Sequence, residues 1–182
     1  MQVLATPPAG ELWRAWSPDP LALVGVVVAI GLYTQGLVRL RRRNPALAPW
    51  SRMWLFAAGI MTILIGIVSP LDTIAEEYLQ SAHMLQHVLI ADLGVALTLL
   101  AIRGPMTVFF LPRDLLVPLA RNRTLRRALG WLVRPGIAIP LWLGVLVAWH
   151  IPRLYEGALR HPTVHRLEHL SFVLVGVLVW TL

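Results

Sequence analysis

Apolar residues in this chain gather into long blocks, separated by segments that carry nearly all the charge. Five blocks stand out: Leu21 to Val38, Met53 to Val68, Ala82 to Ile102, Gly136 to Ile151, and Pro162 to Leu182. Blocks of this length and apolarity predict membrane-crossing helices, because only a helix satisfies its own backbone hydrogen bonds in lipid. The last block opens on Pro162, which suits a first helical position where no amide hydrogen is needed. From there to Leu182 a helix rises about 31 Å, enough to cross a bilayer. The predicted fold is an all-α integral membrane bundle, one transmembrane domain over residues 1–182 with five spans (about 21–38, 53–68, 82–102, 136–151 and 162–182). The fifth block is still apolar where the chain stops, so a longer protein with further helices is expected.

Composition sharpens this picture. Of 182 residues, 57% are hydrophobic, more than a soluble core of this size can hide but no difficulty where the outer surface faces lipid. The net charge of +7 is carried by sixteen Arg and no Lys. Twelve of the sixteen lie in two segments, Arg39–Arg52 and Arg103–Arg134. Such clustering between apolar blocks sets membrane orientation and speaks against nucleic acid as a partner. The rule places both segments in the cytoplasm, with the N-terminus and the acidic segment Ser69–Ser81 outside. Residues 1–20 lack the basic start and cleavage site of a signal peptide. Trp13 and Trp16 read as interface anchors, and Pro112–Pro135 as a basic, partly helical stretch on the membrane surface. With no cysteine, any metal must be held by His, Met, Asp or Glu.

That topology puts all six histidines near the outer face. His83 and His87 open the third predicted helix, His150 closes the fourth, and His161, His165 and His169 surround the start of the fifth. Residues four apart share a helix face, so His83/His87 and His165/His169 form two pairs able, with His150, to surround one ion. A single histidine at a membrane interface is commonly an anchor or a packing residue; six at one level mark function. Imidazoles suit copper, zinc, iron or nickel. His161 is the weakest member, a residue before a helix start. Met84 is a conceivable soft ligand, but it points to a different face from His83 and reads as packing. Asp92, inside the third helix, must face the bundle interior and reads as structural or proton-handling.

Two other chemistries fit parts of the pattern. His165-Arg166-Leu167-Glu168-His169 matches the H-x-x-E-H arrangement of inverted zinc proteases, which makes a membrane zinc metallohydrolase the alternative function. A plainer role for Glu168 is to orient a ligating imidazole from behind. Axial ligation of one haem, as in a membrane electron carrier, is a third reading, although paired histidines on one helix face would crowd the porphyrin.

The run Ser81-Ala82-His83-Met84-Leu85-Gln86-His87 resembles the signature of the multi-pass CtaG family, the caa(3)-type cytochrome c oxidase assembly factors. Ser69-Pro70-Leu71-Asp72 is similar to that family's approach to the helix. Trp149-His150-Ile151-Pro152, Leu154-Tyr155, Ala158 and His165-Arg166-Leu167-Glu168-His169, with Phe172 and Trp180, follow its second block. The resemblance covers roughly Met53 to Leu182 and is distinct from the single-pass copper chaperone that shares the name. It implies a non-enzymatic protein of the bacterial inner membrane that helps build a haem-copper oxidase by binding or relaying copper at the outer face. The implied partners are the oxidase subunits and other copper chaperones. It carries His83, His87, His150, His165 and His169 over as metal residues, but not His161. It also implies about seven spans. Copper comes from the resemblance alone; the residues allow zinc or haem iron equally.

Overall fold

The computed structural model describes residues 9–182. Among them the chain is entirely helical, with no strand. After a short 3-10 turn (Ala9–Arg14), α1 runs Pro20–Arg43. Asp19 caps it, its carboxylate accepting from the Leu21 amide at 2.8 Å and the Ala22 amide at 3.4 Å. Arg41, Arg42 and Arg43 fill its last turn, where cations complement the helix dipole. A 3-10 turn (Pro45–Leu47) leads into α2 (Trp50–Val68), which returns antiparallel.

The segment after α2, read from hydropathy as an outer loop, is helical: α3 spans Pro70–Glu77. The local signal is a capping one. Ser69 accepts from the Leu71 amide at 3.2 Å and Pro70 takes the first helical position, a combination that starts a helix without any apolar run. The third span follows as one rod over Gln80–Ile102, composed of α4 (Gln80–His87), a π-helical segment (Val88–Gly94) and α5 (Val95–Ile102). π-Helical insertions widen a helix locally and frequently accompany functional sites; this one starts at the residue after His87.

The short α6 (Met106–Phe110) then packs on α1, and α7 (Arg113–Arg121) and α8 (Arg123–Leu132) make the basic stretch helical. Next come α9 (Pro135–Trp149), α10 (Pro152–Arg160) and α11 (Pro162–Trp180). The stretch after His150, also read as loop, is thus mostly α10.

Four helical stretches are long and apolar enough to cross a membrane: Pro20–Arg43, Pro45–Val68, Gln80–Ile102 and Pro162–Trp180. The region of the fourth predicted span differs from these. α9 alone rises about 22 Å, short of the roughly 30 Å hydrocarbon layer. It reaches span length only together with α8, from which it is bent by 68° at Pro135. Large apolar side chains such as Val24, Val27, Leu143, Val147 and Leu174 point outward, as lipid-facing positions do. The described residues are thus those of a multi-pass membrane protein.

Small residues let the central rod be gripped from two sides. A Cβ on Gly59 of α2 would lie 2.7 Å from the Thr98 side chain, and one on Gly176 of α11 would lie 2.3 Å from the Ala91 carbonyl oxygen. Such close backbone approach is a common means of packing helices in lipid. At the end of the bundle that carries Arg41, Arg52 and Arg103, an apolar core closes around Tyr33, Leu37, Leu40, Phe56, Ile60 and Met106. The Tyr33 and Phe56 rings stack there at 3.8 Å.

Candidate metal centre

The opposite end of the bundle has a polar interior. His83 and His87 project from one face of α4, and His165, Glu168 and His169 from one face of α11. The i, i+3, i+4 spacing aligns each set on its face, and both sets lie near the start of their spans, Gln80–Ile102 and Pro162–Trp180. The helices lie side by side, so the two faces meet. Ring centroids of His83 and His87 are 4.3 Å apart, His165 and His169 4.2 Å, His83 and His165 5.8 Å, and His87 and His169 5.6 Å. The four imidazoles form a closed quadrilateral. His83 and Glu168 are each 1% exposed.

Glu168 aims between the first pair. Its Oε1 lies 3.7 Å from His83 Nε2 and 3.6 Å from His87 Nε2. Those separations are too long for hydrogen bonds. Both ring nitrogens of His83, both of His87, and Glu168 Oε2 are buried without a hydrogen-bond partner. Buried polar atoms are nearly always paired, and each orphan costs about 1–3 kcal/mol. Five orphans within one cluster are what an ion would relieve. Donor atoms bound to one ion at about 2.0–2.1 Å stand roughly 3.4 Å apart in a tetrahedron, close to the Glu168–histidine distances. Donor atoms of His83, His87 and Glu168 all lie within 4.8 Å of one another. Two imidazoles and a carboxylate suit zinc, copper or iron.

His165 is held from behind. Its Nδ1 donates to Glu76 Oε1 on α3, which leaves Nε2 facing His169 Nε2 at 3.0 Å. A carboxylate on the far ring nitrogen fixes tautomer and ring plane, as it does for metal-binding histidines. Asp72, Glu76 and His165 make a second group of close donor atoms. Asp72 accepts from Ser17 Oγ at 2.5 Å and from Gln86 Nε2 at 2.6 Å, and Gln86 also donates to the Gly66 carbonyl at 2.8 Å. Burial pushes the Asp72 carboxyl up from its usual range, and neighbouring Glu76 adds to this against the bonds from Ser17 and Gln86. Aromatic rings flank the cluster: the Phe172 centroid lies 4.4 Å from that of His87, and the Tyr155 centroid, on α10, 5.7 Å from that of His83.

The structure therefore brings together His83, His87, His165 and His169, with Glu168 placed among the donors, not behind them. It sets His150 apart. That residue is exposed at the end of α9, its Nε2 3.1 Å from Met84 Sδ; Met84, read as packing, is the partner it finds. His161 occupies the residue before α11, where its carbonyl, not its ring, caps the helix by accepting from the Val164 and His165 amides. Asp92 is half-buried in the π-helical segment and meets the Trp180 indole.

Sequence reasoning missed Glu76 and the structural use of Gln86. The available signal was Asp72 and Glu76 four apart behind the Ser69-Pro70 helix start, which puts both carboxylates on one face of α3.

No curated protein and no solved structure matches the chain. The family model described as cytochrome c oxidase caa3 assembly factor (Caa3_CtaG) matches residues 31–182. This extends past the Met53 boundary of the sequence resemblance into α1 and takes in every histidine of the cluster. On that match the chain belongs to the cytochrome c oxidase caa3 assembly factor family.

Proposed function

We propose that this assembly factor binds copper as cargo at the buried cluster and passes it toward an oxidase, without catalysing a reaction. His83, His87, His165 and His169 supply nitrogen donors, Glu168 an oxygen donor, and Glu76 holds His165 in place. The observation that carries this reading is the set of orphaned buried donor atoms on His83, His87 and Glu168. Membership in an oxidase-assembly family supplies the cargo: a haem-copper oxidase needs copper, and imidazole-rich sites take it well. The cluster stands at the outer face of the bacterial cell membrane and the arginine-rich end in the cytoplasm, in keeping with the clustering of arginine. A reporter active only outside the cytoplasm, fused after Arg121, should be silent.

The test is metal content in the full chain isolated from membranes, repeated on a His83→Ala/His87→Ala variant. The wild type should carry copper in a fixed ratio. The variant should insert normally, since alanine favours helix and costs nothing in lipid, yet lose the metal. Cells with only that variant should make oxidase polypeptides and haem but little active oxidase. Normal oxidase activity at normal protein level would sink the proposal. Peptide hydrolysis lost in Glu168→Gln would favour the zinc hydrolase instead.

A further inference from the structure

His150 stands outside the four-histidine cluster, and its surroundings give it a different use. Its Nδ1 lies 2.7 Å from the Leu146 carbonyl oxygen, one turn back along α9. A carbonyl only accepts, so Nδ1 carries the proton, and in the neutral ring Nε2 presents a lone pair. What it faces is Met84 Sδ, at 3.1 Å. A thioether has no proton to give. Two lone pairs thus converge from helices 66 residues apart in sequence, with no hydrogen between them. A cation relieves that arrangement, either a proton on Nε2 or a soft metal ion shared by the two donors.

A bond from the far ring nitrogen to a backbone carbonyl is also the support that metal-binding imidazoles use. Imidazole nitrogen with thioether sulfur is a donor pair suited to soft monovalent copper. We propose that Met84 and His150 form a second, surface metal position for Cu(I), through which the ion enters or leaves the buried centre. This rests on the copper reading of that centre. Met84 follows His83 directly on α4, and His150 is near enough to His87 to interact with it electrostatically. An ion held at the surface pair can therefore exchange one donor at a time with the cluster. Copper stays Cu(I) throughout, and each exchange replaces one donor, thioether or imidazole, by an imidazole or the Glu168 carboxylate of the cluster. Because His150 is exposed, donors from a partner protein can complete the same ion's coordination.

The chain has five methionines, Met1, Met53, Met61, Met84 and Met106, so one methyl signal can be followed. In the full chain with carbon-13 methionine methyls, Ag(I) serves as a redox-inert stand-in for Cu(I). One methyl resonance should move on titration and be absent from Met84→Leu. In His150→Ala the affinity read from it should fall by at least the roughly 10-fold that loss of a mere outer-shell partner costs. The shift should persist in His83→Ala/His87→Ala, so failure of the buried site and failure of this one are read separately. Release of bound copper to an external Cu(I) chelator should slow in Met84→Leu at unchanged copper content. The proposal is overturned if no methyl moves, if Met84's shift ignores His150, if it vanishes with His83 and His87, or if release is as fast without Met84.

Discussion

At the arginine end of the bundle, Tyr33, Leu37, Leu40, Phe56 and Met106 close an apolar core, and the charges stay at its rim. Arg52 donates to the Ala101 and Arg103 carbonyls, Arg41 donates to the Ala48 carbonyl at 2.9 Å, and its guanidinium lies over the Trp50 ring. At the histidine end the interior itself is polar. His83, Gln86, His87, His165 and Glu168 are the buried polar or charged side chains among the described residues, and four of them, all but His165, hold partnerless atoms. One end uses charge for orientation and apolar packing for stability. The other holds desolvated donors that a bound ion would stabilise, a pattern expected where stability is traded for a site.

This contrast predicts opposite responses to mutation. Phe56→Ala, which removes a buried ring stacked on Tyr33, should cost about 3–5 kcal/mol in chemical or thermal unfolding of the detergent-solubilised protein, with the metal donors untouched. The combined change His83→Leu, His87→Leu, Glu168→Met should leave the metal-free protein as stable or raise it by about 1–4 kcal/mol, because a buried polar cluster is replaced whole by apolar groups. It should also abolish any stabilisation by added metal. A large loss of metal-free stability in the triple variant would mean that the cluster is structural glue, and the contrast between the ends would collapse.

The next effect is smaller and lies between the two ends. Gly176→Ala places a methyl against the Ala91 carbonyl oxygen, where a backbone atom cannot swing away. Overpacking of this kind costs about 1–3 kcal/mol. Since α11 also carries His165, Glu168 and His169, pushing it off the π-helical segment should weaken metal binding as well. Gly25→Ala, where nothing lies within 4 Å of the added carbon, is the control and should do neither.

How much of this was readable beforehand follows from what hydropathy measures. The long apolar stretches announced themselves, because a lipid-facing helix needs an unbroken run. The i, i+4 histidine pairs were legible for the same geometric reason: periodicity within one helix fixes a shared face. Which face meets which neighbour is a tertiary fact, and there the reading ran out. Nothing in the sequence put Glu168 between His83 and His87, or turned Met84 toward His150 across 66 positions. α3 and α10 were passed over because their apolar content is low; their starts are written instead in Ser69-Pro70 and Ile151-Pro152. The bend before α9 was hidden as well, since hydropathy scores an apolar run alike whether or not its helix is long enough to span.

The smallest effect tests what secures the histidine end from outside. Arg166, next to His165, donates from Nε to Asp19 Oδ2 at 2.8 Å and so ties the start of α11 to the cap of α1. Burial works to raise the Asp19 carboxyl, but the Leu21 amide, the Arg166 side chain and the Ala22 amide together outweigh it and hold the group below its usual value. A depressed carboxylate stabilises the fold above its unfolded pKa, near 3.9, and that contribution is lost as pH falls through the lower, folded value. Asp19→Asn keeps a good N-cap residue and removes only the charge. Arg166 is 50% exposed, so the gap between wild type and variant at pH 7 should stay under about 1 kcal/mol and shrink further in salt. It should close once the medium is acid enough to protonate Asp19 in the folded protein. A gap that survives there would assign the effect to the cap geometry and not to the pair. If Asp19→Asn also lowers metal affinity at pH 7, the rim contact is positioning His165. If affinity is unchanged, Glu76 alone orients that ring, and the polar interior is set independently of the charges around it.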